Sequence, residues 1–511
     1  MSVDICFVCS PMNLNATVPP YHYLYLGAYL EKEKITYEIL DEKCEMLLPR
    51  RVISKLSKGS GFSPQVVVVN KIIEKLKEIR PKIVGLAVYT SDYNCVMDLA
   101  RLIKENIGCA IVVGNAHASV CPNDFIFEGS DIDYVVRGEG EATLTELIKA
   151  LKTGSPVDEI AGIAYLKNGQ PVFGPTRSLL SDLSIDLTSA YKKIRMEHYI
   201  KPSAGYIRSL IVRAAGVHTG RGCPFSCKFC AANVIWATHG PKRSVRFRPI
   251  SDVINELGFL RDTYHINGFV INDDTFTVRK ERVYDFCEKM KRAKIDLIWA
   301  AQSRVNQIDE DMLRAMKDAG CIQIEFGIES ASPKCLEEVD KRIKVESAYK
   351  GFDICRKVGI RTFANMLINI PGETEEDIQL SEDFLRKVRP TEVGWGITTP
   401  YPGTGINEKY IKPKLSKEEY PLLFANRMLG SDRLRLCHHT LDLEVLINKL
   451  IKRHRYGFKI LFVSFSFDRA YIKTLHENVL GYFALFFKVT ITRFLEGAWY
   501  TGKRLAKAWN K

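Results

Sequence analysis

The sequence lacks a basic stretch followed by an apolar core at its start, MSVDICFVCSPMN, so no secretory signal is expected. It also lacks an apolar run of spanning length. The longest near the end, residues 479–487, is nine residues, where a membrane helix needs about 20. No internal repeat and no low-complexity tract is visible. Together these absences predict a cytoplasmic protein without an integral span.

What is present reads as globular. The chain has 511 residues, enough for two or three domains that each bury a core. Its composition is 46% hydrophobic and 26% charged, neither disordered nor fibrous. Fourteen cysteines are expected to stay reduced in such a compartment. Most are scattered in apolar patterns, where a thiol acts as a small buried hydrophobe. The pair Cys6 and Cys9 reads the same way, as strand and loop. A group at 223, 227 and 230 does not.

Strands and helices alternate from the start, with candidate strands at 5–8, 83–88, 110–113 and 134–136. That spacing predicts an α/β fold whose first unit is a doubly wound parallel, Rossmann-like sheet over residues 1–177. Ligands bind such sheets at the carboxyl ends of the strands. The unit closes on a hairpin that turns at Asn168-Gly169. Residues 178–208 read as a linker. Strand and helix then alternate six times over 209–414, with strands at 217–220, 269–272, 297–301, 322–327, 362–369 and 393–398. Six units are fewer than the eight of a closed barrel, which predicts a partial, open (β/α)6 TIM-like barrel. Residues 415–511 are expected to form a mostly helical region.

Directly after the first barrel strand stands Arg221-Gly-Cys223-Pro-Phe-Ser-Cys227-Lys-Phe229-Cys230. Three thiolates this close can hold a cuboidal [4Fe–4S] cluster and leave its fourth iron open. An open iron can chelate the amino and carboxylate groups of S-adenosylmethionine and pass one electron to its sulfonium. The carbon–sulfur bond then breaks to give methionine and a 5′-deoxyadenosyl radical. In this reading the glycine lets the backbone approach the cluster and Phe229 shields it. The competing reading is zinc, with His218 or His239 as fourth ligand, although this spacing is unusual for zinc.

A CxxxCxxC with an aromatic before its last cysteine, opening a (β/α)6 unit, resembles the radical S-adenosylmethionine superfamily over residues 209–405. The resemblance implies cofactor contacts at the other strand ends. These are Asp273 and Asp274 after the second strand, Ser303 and Arg304 after the third, and Glu329 and Ser330 after the fourth. The loop Pro371-Gly372-Glu373 after the fifth resembles the one that touches adenine.

The stretches Pro19 to Leu30, Val113-Gly114-Asn-Ala-His117 and Val136-Arg137-Gly138-Glu139-Gly140-Glu141 are similar to the cobalamin-binding domain fused to many of these enzymes. The Asp-x-His-x-x-Gly element that gives cobalt an axial histidine elsewhere is absent from residues 1–175. The resemblance therefore implies cobalamin without an assured protein ligand. Gly114 and Gly138 are expected beside the corrin, and His117 is the candidate ligand to cobalt. Cobalamin implies methylation of an unactivated carbon of a small molecule or lipid. The other precedent in the class is oxidative cyclisation. A methylthiotransferase acting on RNA or protein would need a further cysteine triad that Cys6, Cys9 and Cys44 do not make. A non-catalytic cobalamin or iron–sulfur regulator would have no use for an open iron.

A low-potential electron donor of the flavodoxin or ferredoxin type is also implied. The formal net charge is +13, and residues 441–511 hold thirteen Lys/Arg against five acids. Aromatic residues interleave with these cations, a pattern expected of either a helical cap on the barrel or a membrane-surface segment. No nucleic-acid module is visible.

Overall fold

Ile5–Val8 (β1) is apolar at all four positions, and all four are buried. A strand with no solvent face belongs to a parallel sheet covered on both sides. The computed structural model describes residues 3–11, 18–42, 64–201, 205–208, 210–240, 244–424, 428, 431–454, 458–460 and 463–465. In it β1 lies between Tyr37–Leu40 (β2) and Ile83–Ala87 (β3), parallel to both. Ala110–Gly114 (β4) and Tyr134–Val136 (β5) extend the parallel sheet. Ile163–Lys167 (β6) and Gln170–Phe173 (β7) finish it as an antiparallel hairpin. Asn168 and Gly169 between them have φ of 52° and 73°, as a type I′ turn requires.

The period of two decides which face each residue covers. Ile5 and Phe7 join the core that includes Tyr21, Leu24 and Tyr25 of helix Tyr21–Lys32. Cys6 and Val8 join the opposite core, with Leu76, Val96 and Leu99. The strand order β2-β1-β3-β4-β5 is the doubly wound one whose crevice opens beside β1 and β3. Of these strands the sequence reading misses only β2, whose Glu38 interrupts a short apolar run.

The second sheet holds six parallel strands in sequence order. They are Ala214–Val217 (β8), then, after a two-stranded ribbon of Gly220–Arg221 (β9) with Arg246–Phe247 (β10), Gly268–Ile271 (β11), Ile298–Ser303 (β12), Cys321–Glu329 (β13), Arg361–Ile368 (β14) and Glu392–Ile397 (β15). β8 and β15 are its two edges, so the barrel stays open. A helix follows each of β11 to β14, as the six-fold alternation predicts.

One expected boundary shifts, and two regions gain detail. The first barrel strand ends at Val217, not at Gly220, because the Asp273 carboxylate takes the N–H groups of Thr219 and Gly220. The described residues of the expected linker, 178–208, pack against the barrel: Tyr191 and Tyr199 are buried there, and Tyr191 donates to Glu256 at 2.6 Å. Among the described residues past 415 the chain is not wholly helical. It forms a 3-10 turn at Tyr420–Leu423, a helix at Leu443–Arg453 and an antiparallel pair, Phe458–Ile460 (β16) with Val463–Phe465 (β17). Most of the basic, aromatic stretch beyond 454 lies outside the described residues. Among the described residues no helix is long and apolar enough to cross a membrane.

Candidate active site

The loop 222–230 is held from several directions. Lys228 N donates to Val339 O at 2.9 Å, Ser226 Oγ donates to Asp340 at 2.6 Å, and Asn233 Nδ2 donates to Cys227 O at 2.9 Å. Cys227 is buried and Cys223 and Cys230 are half-buried, and no described cysteine is in a disulfide. Burial pushes the Cys223 thiol up to about 11 and raises Cys230 as well, and the neighbouring Cys227 sulfur adds to both. Such thiols ligate only when a metal's positive charge displaces their protons. Gly222, at φ 97°, makes room for the Ser244 carbonyl, which a Cβ would meet at 2.2 Å. That close approach to the 244 backbone already requires a residue without a side chain.

The strand-end residues divide into groups with different work. Asp273 is buried and accepts from Thr219 Oγ1 at 2.5 Å as well as from the two backbone amides. Burial raises its carboxyl to about 6 even so. It shapes the start of the cysteine loop. Asp274 accepts from Trp236 Nε1 at 3.1 Å and faces the cavity described below. Ser303 is buried against Thr277 at 2.5 Å. Arg304 reaches the cluster loop itself, with Nη1 3.5 Å from Cys227 Sγ. Glu329 ends β13 at φ 68°, where the register shifts, and pairs with Lys341 at 2.7 Å. Lys341 Nζ stands 6.0 Å from the Phe229 ring centroid.

Two expected contacts point elsewhere. Ser330 is buried beside Ser381 at 3.3 Å, between β13 and helix Glu375–Val388. Glu373 accepts from Asn369 N at 2.8 Å and faces His439 at 3.5 Å, while Gly372 N donates to Leu436 O at 3.0 Å. Pro371-Gly372-Glu373 is thus a seat for residues 436–439, a partner that sequence spacing does not reveal.

A cavity of about 670 Å³ lies between the two sheets. Its N-terminal wall is the crevice of the first sheet: Gly85, Ala87, Gly114, Gly138, Gly140 and the face of helix Tyr21–Lys32 with Tyr21, His22 and Tyr25. Its barrel wall holds His218, Arg221, Trp236, Asn272, Asp274 and Gln302. Small residues on one side let a flat macrocycle lie against backbone. The acid next to the cysteine loop stands on the other. The wall positions therefore fit cobalamin, and the three thiols fit an iron–sulfur cluster.

The structure corrects the reading of His117. Its Nδ1 is 3.1 Å from Thr90 Oγ1, its Nε2 is 3.1 Å from Asp124 Oδ2, and the ring is fully buried. It does not line the cavity, and both nitrogens are engaged, so it is not placed to meet cobalt. Asp124 also accepts from Tyr420 at 2.9 Å, tying the segment after the barrel to the first sheet. The zinc alternative loses His239 in the same way, since Nε2 accepts from Glu139 N at 3.0 Å and Nδ1 sits 2.9 Å from Arg177 O. His218, seen in the sequence only as a zinc candidate, instead lines the cavity edge-on to Tyr21 and Tyr25. Burial, with Arg221 and Arg248, lowers it to about 4, so the ring is neutral.

Comparisons with known proteins agree with this geometry. Residues 217–385 match the family model of the Radical SAM superfamily, and residues 13–148 match the B12 binding domain. The chain is 32% identical over 409 residues to an uncharacterized methyltransferase of Pyrococcus horikoshii, covering 79% of this chain and 80% of the relative. It is 27% identical over 340 residues to the anaerobic magnesium-protoporphyrin IX monomethyl ester cyclase of Rubrivivax gelatinosus, covering 65% of this chain and 59% of that one. Its fold is similar to that of the radical S-adenosylmethionine methyltransferase TsrM from Kitasatospora setae, solved with cobalamin and a [4Fe–4S] cluster. The TM-score is 0.61 at 17% identity, over 81% of this chain and 76% of the other. The chain belongs to the radical S-adenosylmethionine superfamily, as an enzyme that joins a B12-binding domain to a radical barrel and works with a [4Fe–4S] cluster, S-adenosylmethionine and cobalamin.

Proposed function

We propose that this enzyme methylates an unactivated carbon of a small molecule or lipid. The observation that carries the proposal is a cavity whose walls come from both halves of the chain. Gly114 and Gly138 line it on one side and Asp274 on the other, so the two cofactors would act on one substrate. The methyltransferase relative spans more of both chains than the cyclase does, which favours methylation over ring formation.

In this reading residues 1–177 hold cobalamin, 178–208 join the halves, 209–414 carry the radical chemistry, and 415–511 follow as a separate region. Cys223, Cys227 and Cys230 hold the cluster. When bound, the cluster supplies the electron that cleaves S-adenosylmethionine to a 5′-deoxyadenosyl radical, and cobalamin supplies the methyl group. The chain's own residues position and shield. Asp274, fixed by Trp236, presents a carboxylate oxygen toward the cavity as an acceptor for the amino group of S-adenosylmethionine. The Glu329–Lys341 pair fixes the end of β13. Tyr21, Tyr25 and Trp236 exclude water from the space a radical must cross. A low-potential flavodoxin- or ferredoxin-class protein would deliver the electron.

The test is anaerobic reconstitution of the full chain with iron, sulfide, hydroxocobalamin and methyl-labelled S-adenosylmethionine. About one corrin per chain should co-elute, and a low-potential reductant, needed both to bring the corrin to the nucleophilic cob(I) state and to reduce the cluster, should give label recovered with the corrin and 5′-deoxyadenosine. If the corrin separates freely from cluster-loaded protein, the methyltransferase reading falls and the first sheet serves another ligand.

A further inference from the structure

The guanidinium of Arg304 is a buried cation that the protein itself does not neutralise. Its residue is 6% exposed. Nη2 donates to the Lys341 carbonyl, Nη1 lies 3.5 Å from Cys227 Sγ, and Nε is buried without a hydrogen-bond partner. Among the described residues no carboxylate pairs with it. The nearby acid, Glu329, is taken by Lys341 Nζ at 2.7 Å. The Arg304 Cζ stands 3.8 Å from the ring centroid of Phe225, a residue of the cysteine loop itself. A buried charge without a counter-ion is costly, so such a group implies an anion brought by something else.

We propose that Arg304 sets the reduction potential of the cluster through the Cys227 thiolate. This inference rests on the reading of the three cysteines as cluster ligands. Each thiolate is an anion, and reduction by one electron adds a further negative charge to the cluster it holds. A cation fixed beside one ligand sulfur stabilises the reduced form more than the oxidised form, and so raises the potential. Hydrogen bonds to the sulfurs and burial are recognised levers on such potentials. Burial strengthens the effect here, because the field of the guanidinium is poorly screened. The fork geometry matters as well: one arm on the Lys341 carbonyl and the stack on Phe225 fix the arm that faces sulfur. Arg304 is therefore a positioning residue for the electron and need not touch the substrate.

The test uses the full chain, reconstituted anaerobically, with S-adenosylmethionine withheld. Iron and sulfide are counted, and the midpoint is read by a redox titration monitored by electron paramagnetic resonance. Arg304→Met and Arg304→Gln should keep about four iron per chain. Their midpoints should move negative by about tenfold in the reduction equilibrium, about 59 mV for one electron. Arg304→Lys should fall between these and the native protein. Unchanged midpoints in iron-replete neutral variants would overturn the proposal, above all if S-adenosylmethionine binding weakened instead, since Arg304 would then serve the sulfonium's carboxylate. Should neither neutral variant take up iron, Arg304→Lys decides alone, and a native midpoint there also overturns it. Failure of the native chain to take up iron would instead overturn the cysteine reading.

Discussion

Arg221, two residues ahead of Cys223, places Nη1 3.0 Å from Glu139 Oε1 and Nη2 2.6 Å from Glu141 Oε1. Arg246 grips the same Glu139 at 2.8 Å. Burial alone would raise the Glu139 carboxyl, but Arg246 and Arg221 pull it below the usual range. These two acids alternate with Gly138 and Gly140 in the cavity wall. The strand that leads into the cluster loop and the wall expected against the corrin are thus one charged assembly.

Glu139→Ala should be costly for that reason. Removing one partner of a buried pair strands the other charges, at about 3–5 kcal/mol. The expected result is a clear fall in the anaerobic melting temperature together with lower corrin occupancy, and Glu139→Gln should lie between. A variant that melts like the native protein and retains its corrin would show the two halves to be independent.

The cysteine triad makes a separate demand. The Cys223/Cys227/Cys230 triple alanine variant should lose iron, sulfide and the ~400 nm charge-transfer band expected of this cluster type. Because the thiols take no part in the Arg221–Glu139 contacts, corrin occupancy should survive. Stoichiometric zinc with no sulfide in the native chain would return the site to the zinc reading.

Much of this was legible from apolar period and spacing. Strands such as β1 and β5 are continuous apolar runs, and the cysteine triplet follows the first barrel strand in a recognisable order. What was not legible depends on side chains far apart in sequence. Nothing local to Asp273 says that it will cap Thr219, 54 residues earlier, and end β8 early. Nothing near His117 says that Thr90, 27 residues earlier, will meet its Nδ1, or that the ring will be buried away from the cavity. Glu373 likewise looked like a cofactor loop residue because His439, which covers it, lies beyond the barrel.

That His439 contact titrates. Cys437 and then Glu373 raise the imidazole to about 9, from an ordinary value of 6.5. Nε2 stands 3.5 Å from Glu373 Oε2, an ion-pair distance. A folded-state value above the unfolded one means the stabilisation is complete below about pH 6.5 and is lost as pH rises through about 9. The native stability should therefore fall across that window by about 1 kcal/mol, allowing for screening, and the melting temperature should fall with it. His439→Gln should flatten the slope. An equal slope in the variant would assign the alkaline loss to other groups.

The sharpest test of the corrin wall is Gly138. It adopts φ 74°, and an added Cβ would lie 2.3 Å from the His239 ring. That ring accepts the Glu139 N–H, so Gly138→Ala must push it aside and break the contact that holds the wall to residues after the cysteine loop. Gly154 supplies the control. It has a similar φ of 71°, but nothing stands within 4 Å of its added Cβ. Gly154→Ala should cost only the left-handed backbone strain, about 1–2 kcal/mol. The expected outcome is that Gly138→Ala loses most of its corrin while keeping native iron, whereas Gly154→Ala keeps both. Corrin absorbance and iron content of the gel-filtered proteins give the two readouts. Equal corrin loss in both variants would mean that backbone strain alone is responsible, and that the wall at Gly138 has no special part in holding cobalamin.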